Sequence, residues 1–203
     1  ERTGEGQVVD AAMVDGASLL MSAFYSLSAM GMWRGGRGGN LLDGGAPFYG
    51  TYETSDGGYM AVGAIEPAFW AELLQLLGLD SAELPNQMDI PRWPELRARL
   101  EAGFREKTRA EWTEILEGTD ACTSPVLSME EAREHPHMKS RGVYQAVGAM
   151  EQPSPAPRFS VTPTAAPTVA PTHGAHSREG LVAWGVDEAR ITELQELGVL
   201  GGS

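Results

Sequence analysis

Glu66 is the side chain in this sequence whose position between two structural elements most suggests chemistry. The segment Gly63-Ala64-Ile65-Glu66 follows an apolar, aromatic run and precedes Pro67, where a helical pattern begins. A carboxylate at such a strand-to-helix junction could favour the positive end of the helix dipole and do nothing more. It could instead point into a cleft and orient an acid or a base during proton transfer. The residues alone leave both interpretations open.

Other familiar catalytic patterns do not occur in the sequence. His135 and His137 are two positions apart and could ligate a metal, but no further His, Cys or acidic cluster has ligand spacing. We therefore predict no metal site, and expect the pair to end a helix. The glycine-rich run at 35–39 lacks the Gly-Lys-Ser/Thr of a phosphate-binding loop, and no Ser/His/Asp constellation is visible.

A β-hairpin and a helix are predicted to position Glu66. Phe48–Thr54 and Tyr59–Val62 are rich in aromatic and β-branched residues, and a Ser-Asp-Gly-Gly turn lies between them. Apolar residues at helical spacing predict a helix over 67–77, with Gly78 as its C-cap.

The remaining elements follow from hydrophobic periodicity and capping signals. Residues 7–12 are predicted to form a strand, and the apolar spacing over 13–33 predicts one long helix. The methionines of that helix could form a soft surface for acyl chains or pack in a core. Further helices are predicted over 94–104, 109–117, 128–134, 177–184 and 187–197. Extended chain is predicted over 121–127 and 144–150, and also over 152–171, which carries six prolines.

Composition argues against several classes of function. The chain of 203 residues has a formal net charge of −13, which argues against nucleic-acid binding because phosphate contacts need clustered Lys and Arg. Hydrophobic residues make up 42% of the chain, enough for a core. No apolar run approaches the roughly 18 residues of a membrane span, so no membrane partner is predicted. The single cysteine, Cys122, excludes an internal disulfide and fits a reducing compartment, so we expect a cytoplasmic protein.

The junction and its flanks resemble a known family. The stretch FYGTYETSDGGYMAVGAIEPAFW is similar to the small-domain hairpin and following loop of α-methylacyl-CoA racemases, which belong to the family III CoA-transferase superfamily. GQVVDAAMVDGASLL resembles the strand and helix that leave the large domain, and CTSPVLSMEEAREHPHMKSRG resembles the segment that leads back to it. PAPRFS and a terminal helix pair match the end of the family. The resemblance covers almost the whole chain.

This resemblance implies an α/β fold with an α+β small domain. The expected division is the end of the large domain and a linker helix at 1–46, the small domain at 47–135, and a return linker with the C-terminal part of the large domain at 136–203. Family members carry a long Rossmann-like region before the point that corresponds to Glu1. We therefore expect this chain to be the C-terminal half of a longer enzyme that lacks most of the large domain.

The resemblance also implies a reaction, the epimerisation of 2-methylacyl-CoA thioesters. Moving the α-proton needs one base on each face of the carbon and stabilisation of an enolate-like intermediate. In the family these bases are a histidine and an aspartate of the large domain, which we expect upstream of this chain. None of the four histidines present matches the catalytic histidine's motif.

Five positions match the small-domain share of the family site. Glu66 matches a glutamate that hydrogen-bonds the catalytic histidine, a contact that would fix the ring and favour its imidazolium form. Four further residues match positions near the acyl moiety, although hinge and core roles are the alternative for each: Gly39, Leu42, Tyr49 and Ile65.

The resemblance implies an acyl-CoA substrate, no separate cofactor because coenzyme A is part of the substrate, and an interlocked homodimer. The site would lie between the large domain of one subunit and the small domain of the other. The main alternative is a family III CoA-transferase, which forms a covalent carboxylate–CoA intermediate through an aspartate. Formyl-CoA transferases carry a glycine-rich loop where this chain has GAIEPAF, which favours the racemase. An inactive assembly module is the third alternative.

Overall fold

Two units make up the chain, one ending at Val126 and the other beginning at Leu127. They are seen in a computed structural model that describes residues 4–200. The three-part division inferred from the sequence stays a prediction.

A three-stranded antiparallel sheet forms one side of the first unit. Its strands are β1 (Tyr49–Glu53), β2 (Tyr59–Gly63) and β3 (Thr123–Pro125), in the order β1-β2-β3. The turn between β1 and β2 places Gly57 at a φ of +79°, which a glycine adopts without steric cost. The predicted hairpin is thus confirmed. The extended segment predicted at 121–127 contains β3, whose pairing with β2 the sequence did not predict.

Three helices pack with this sheet. They are α3 (Pro67–Leu76), α4 (Trp93–Phe104) and α5 (Arg109–Leu116), close to the predicted bounds. The predicted capping box of α5 is present: the Thr108 hydroxyl accepts from the Glu111 N–H, and the Glu111 carboxylate accepts from the Thr108 N–H. Local capping chemistry therefore determines where α5 begins.

Aromatic rings join the sheet to the helices in the core of the first unit. The ring of Phe48 lies 6.1 Å from that of Trp70 and 5.8 Å from that of Trp93, both edge to face. The largest fully buried apolar side chains of this core are Phe48, Tyr52, Met60, Leu73, Leu96, Leu100, Phe104, Trp112 and Leu116. They come from both layers, so the hairpin and the helices share one core.

The N-terminal region differs from the prediction in two ways. Residues 7–12 form no strand within the described chain, since no described segment pairs with them. The predicted long helix is two helices, α1 (Met13–Leu20) and α2 (Ser22–Ala29). The break is at Met21, and the Ser22 hydroxyl donates to the Leu19 carbonyl at 2.6 Å. Such a local side-chain bond competes with the regular helical pattern.

An apolar surface covers α1 and α2. No residue of either helix is buried, and Met13 and Leu20 are 90% and 83% exposed. The methionines at 13, 21, 30 and 32 are all exposed. Among the described residues they therefore form a surface and not a core.

Short helices and one hairpin make up the second unit. The helices are α6 (Met129–Glu134), α7 (Pro136–Ser140), α8 (Ser177–Ala183) and α9 (Glu188–Glu196). The strand predicted at 144–150 is instead a hairpin of β4 (Tyr144–Val147) and β5 (Met150–Pro153), because the chain turns at Gly148-Ala149 and pairs with itself. From Ser154 to Pro171 the chain has no helix or strand, as its prolines predicted. None of the helices in residues 4–200 is long and apolar enough to cross a membrane.

The histidine pair serves a local structural role. His135 is the N-cap of α7, and its Nδ1 accepts from the His137 N–H at 3.3 Å. No group of three or more His, Cys, Asp or Glu side chains in the described part of the chain could hold a metal ion.

Candidate active site

Glu66 occupies the N-cap position of α3, directly before Pro67. Its backbone is extended (φ −72°, ψ 143°), and among the described residues its side chain accepts no capping hydrogen bond. The side chain is exposed. The carboxylate is therefore not used to cap its own helix, although it lies at the positive end of the dipole.

Backbone hydrogen bonds fix the junction that precedes Glu66. The Gly63 N–H donates to the Cys122 carbonyl at 2.8 Å, which extends the β2–β3 contact past β3. The Ile65 N–H donates to the Gly63 carbonyl at 2.9 Å, a three-residue turn that redirects the chain toward α3. Ile65 is half-buried and packs against the core. The junction thus turns sharply between two rigid elements.

An open pocket of about 500 Å³ lies beside this junction. It is lined by Leu42, Gly44, Tyr49, Gly50, Thr51, Ala61, Val62, Gly63, Cys122 and Ser124. None of these lining residues, all in the described part of the chain, carries a formal charge. The pocket is therefore suited to an uncharged group.

Two of the five predicted site residues line this pocket, and the other three lie beside it in the chain. Leu42 and Tyr49 line it and are 46% and 41% exposed. Ile65 and Glu66 follow its lining residue Gly63 in the chain but do not line it. Gly39 begins the loop that carries Leu42 and does not line it either. The structure thus brings two predicted residues into one wall and places the others on the adjoining backbone.

The acidic side chains near the pocket interact with Cys122. Partial desolvation and the negative charges of Glu66, Asp120 and Glu72 raise the pKa of the Cys122 thiol. The thiol is therefore neutral near pH 7 and a poor nucleophile. The same interaction shows that Glu66 lies within electrostatic range of the pocket wall.

The loop that carries Leu42 is held by a carboxylate inside the turn. Asp43 accepts from the Asn40 N–H at 2.8 Å, the Asn40 side-chain amide at 2.7 Å, the Gly45 N–H at 3.2 Å and the Gly39 N–H at 3.3 Å. The Asn40 side chain, followed by these backbone N–H groups, lowers the pKa of the Asp43 carboxyl. Gly39 and Leu42 thus belong to an ordered loop.

Gln87, which no sequence pattern indicated, contacts the junction from its buried side. Its side-chain Nε2 donates to the Ala64 and Ile65 carbonyls, each at 3.0 Å. The segment 79–92 carries two prolines and no clear periodicity, so it predicted only a loop. Asn86 and Asp89 flank Gln87, so no feature of the sequence set this one amide apart.

Comparison with known protein families places this chain in one of them. The family model described as CoA-transferase family III matches residues 1–177, and the chain belongs to this family. The predicted membership and the predicted mixed α/β family fold are therefore confirmed.

Individual relatives narrow the comparison. The chain is 47% identical over 196 residues to an alpha-methylacyl-CoA racemase of Mus musculus and 48% identical over 198 residues to that of Homo sapiens. Each match covers 95% of this chain and 51% of the relative, so the chain spans about half the length of these curated relatives. A CAIB/BAIF family protein from Brucella suis has a similar fold: its TM-score is 0.66 at 21% identity, over 92% of this chain and 50% of that one.

Proposed function

We propose that this chain is part of an α-methylacyl-CoA racemase. The observation that carries the proposal is the 47–48% identity to two racemases over 95% of the chain. The geometry is compatible with it, because Leu42 and Tyr49 line an uncharged pocket and Glu66 lies at the adjoining junction.

The proposed reaction is a two-step proton transfer at the carbon next to the thioester carbonyl. A base on one face removes the α-proton, and the electron pair moves onto the carbonyl oxygen as an enolate. A protonated group on the other face then returns a proton to carbon, which inverts the centre. We propose that these two groups, a histidine and an aspartate, belong to a large domain outside this chain.

Glu66 would act on that histidine and not on the substrate. A carboxylate that accepts from the ring N–H holds the ring's orientation and favours the imidazolium form after proton abstraction. The free, exposed carboxylate at the start of α3 suits this role, since the described chain gives it no competing capping bond. Ile65 and Gly39 are proposed to lie near the acyl group with Leu42 and Tyr49.

The proposal includes an assembly and a location. We propose an interlocked homodimer in which a large domain of one subunit faces the small domain of the other. The exposed apolar residues of α1 and α2 support the presence of further protein against them. The substrate is an acyl-CoA, with no separate cofactor. We propose a cytoplasmic location, with which the single cysteine is compatible, and a role in fatty acid metabolism.

A CoA-transferase is the second candidate, because the matching family model carries that description. The test compares two reactions of the full-length protein. Incubation of a 2-methylacyl-CoA in D₂O should give deuterium at the α-carbon together with epimerisation. Transfer of CoA to an added carboxylate, with a CoA adduct trapped on an aspartate and no α-deuterium, would refute the racemase and support the transferase.

A further inference from the structure

Gln87 has a buried polar side chain to which the proposed reaction assigns no role. It lies between two short 3-10 turns, Ser81–Glu83 and Ile90–Arg92. The residue is 8% exposed, and in the described chain only Asn40 and Thr54 are also buried and polar. A buried amide is stable only when its hydrogen-bonding groups have partners. The groups to which Gln87 is hydrogen-bonded therefore indicate its role.

Both hydrogen bonds of the Gln87 amide nitrogen go to consecutive carbonyls. Nε2 donates at 3.0 Å to the Ala64 oxygen and at 3.0 Å to the Ile65 oxygen. An amide nitrogen has two N–H donors, so this arrangement uses its full capacity. The two accepting peptide groups are those directly before Glu66. Their planes are fixed from a position more than twenty residues further along the chain.

Gln87 is itself held by the core. The indole N–H of Trp93 donates to the main-chain carbonyl of Gln87 at 2.9 Å. Trp93 is 6% exposed, and its ring packs edge to face on Phe48 at 5.8 Å. A continuous series of contacts thus runs from the aromatic core through Trp93 and Gln87 to the junction.

We propose that Gln87 is a positioning residue for Glu66, an inference that rests on the proposed role of Glu66. Fixing the Ala64 and Ile65 peptide groups fixes the direction in which the Glu66 side chain leaves the backbone. Glu66 makes no capping bond of its own in the described chain, so its placement depends on the backbone. A neutral amide does this without putting a positive charge beside the carboxylate. Displacements of about 1 Å in such supporting groups cost on the order of 100-fold in rate.

The first test measures the junction itself in this chain. In Gln87→Met a side chain of similar length replaces the amide and leaves both carbonyls without their donor. Amide hydrogen exchange over residues 63–66 should become on the order of 10-fold faster, while exchange in α4 stays as it was. Gln75→Met is the matched control, because Gln75 lies exposed on α3. Unchanged exchange over 63–66 would overturn the inference.

A second variant, Gln87→Glu, gives a signature that packing alone would not produce. An ionised carboxylate there would face two carbonyl oxygens, whereas the protonated acid could donate one hydrogen bond. Burial and these oxygens favour the neutral acid, so its pKa in the folded chain lies above the unfolded value of about 4.3. The free energy of unfolding of the variant should therefore be closest to that of the parent below about pH 4.3. It should fall as pH rises through the folded pKa. Equal destabilisation at all pH values would overturn the inference.

The third test uses turnover by the full-length protein. Gln87→Met should lower kcat on the order of 10- to 100-fold with little change in KM, because the acyl-CoA contacts stay. Faster junction exchange with unchanged kcat would overturn the positioning role. If the parent protein catalyses no α-proton exchange but Gln87→Met still speeds exchange over 63–66, the proposed function fails. In that case Gln87 still fixes the junction backbone, but it has no role in a racemase reaction.

Discussion

Arg97 on α4 donates a hydrogen bond of 2.7 Å to the carbonyl oxygen of Gly44. The same Nη2 lies 3.2 Å and 3.3 Å from the Gly45 and Ala46 oxygens. Its guanidinium carbon lies 5.8 Å from the centre of the Tyr52 ring. One side chain thus ties the loop that carries Leu42 to the helical layer, so the pocket wall depends on α4.

Arg97→Met should loosen this loop without disrupting the core. We expect a loss of about 1 kcal/mol in the free energy of unfolding, because hydrogen bonds at a partly exposed site contribute modestly. In the full-length protein KM should rise about 5-fold, which corresponds to about 1 kcal/mol of binding free energy. Urea titration and initial-rate kinetics measure the two effects.

Arg99→Met provides the matched control for Arg97. Arg99 is on the same helix, but its ion pair with Glu83 is long, 3.7 Å, and solvent-exposed. The control should leave KM unchanged. A similar rise in KM for both variants would mean that the loop contact has no special role.

The carboxylate of Asp43 gives the loop a pH dependence. Its pKa is lowered in the folded chain, chiefly by the Asn40 side chain. The unfolded chain therefore binds this proton more readily, so the stabilisation is complete above the ordinary value of about 3.9 and is lost as pH falls through the folded pKa. Asp43→Asn should be less stable than the parent near pH 6, and this gap should narrow below about pH 4.

Asp56→Asn is the positive control for Asp43, since the Thr54 hydroxyl is the main cause of the lowered pKa of Asp56. Its stability gap should narrow in the same direction. Urea midpoints measured from about pH 3 to pH 6 give both curves. A gap for Asp43→Asn that stays constant over this range would show that the carboxylate's charge does not stabilise the loop.

Two glycines of the hairpin should differ in the effect that an added methyl group has on Tm. A Cβ at Gly63 would meet only the Cys122 carbonyl oxygen at 3.7 Å and the Tyr49 ring at 3.9 Å, which are ordinary contacts. Gly63→Ala should therefore keep its Tm while narrowing the pocket, so KM rises in the full-length protein. A Cβ at Gly58 would lie 2.9 Å from the Arg109 Cβ, so Gly58→Ala should lower Tm. Equal Tm values for the two variants would contradict this account.

Trp112 should be a large contributor to stability. It is 1% exposed, and its indole N–H donates to the Phe104 carbonyl at 2.8 Å. Trp112→Phe removes the donor and leaves a small cavity, so we expect a loss of about 2–4 kcal/mol in denaturant unfolding. Trp184→Phe is the comparison, since Trp184 is 89% exposed and the change there should stay within about 0.5 kcal/mol.

Local signals predicted the elements around the site. The Ser-Asp-Gly-Gly turn, the box of Thr108 with Glu111, and Gly78 after α3 each act within a few residues, so the sequence alone placed the hairpin and three helices. The pairing of β3 with β2 depends on a distant partner, which no local pattern specifies. The prediction of a strand over 7–12 was wrong for the same reason. An apolar run forms a strand only beside another strand, and the described chain provides none there.

The positions around the candidate site were predictable in part. The sequence predicted that Glu66 lies between a strand and a helix, and it lies between β2 and α3, while the roles of Glu66, Leu42 and Tyr49 stay predictions from family resemblance. Gln87 was not identified, because its role depends on two main-chain oxygens more than twenty positions away. Polar side chains that hold a backbone leave no spacing pattern in the sequence, whereas those that begin a helix do.

Glu66→Gln in the full-length protein is the prediction that decides the site. The amide keeps the shape of the side chain but removes its charge, so a histidine it orients would lose support for its imidazolium form. We expect kcat to fall on the order of 10- to 1000-fold, within the range that acid–base catalysis contributes. KM should change little, because the acyl-CoA contacts stay.

Stability separates this role from simple dipole stabilisation. A partner of the helix dipole contributes only about 0.3–1 kcal/mol, so in that case Tm would fall slightly and kcat would be unchanged. The substitution should therefore be measured for both quantities, in one buffer, beside Glu83→Gln. Glu83 lies exposed in a 3-10 turn, and its replacement should change neither quantity measurably. A large loss of kcat at constant Tm places Glu66 in the site; a lower Tm at constant kcat removes it, because a group that only stabilises α3 cannot alter turnover in the folded protein.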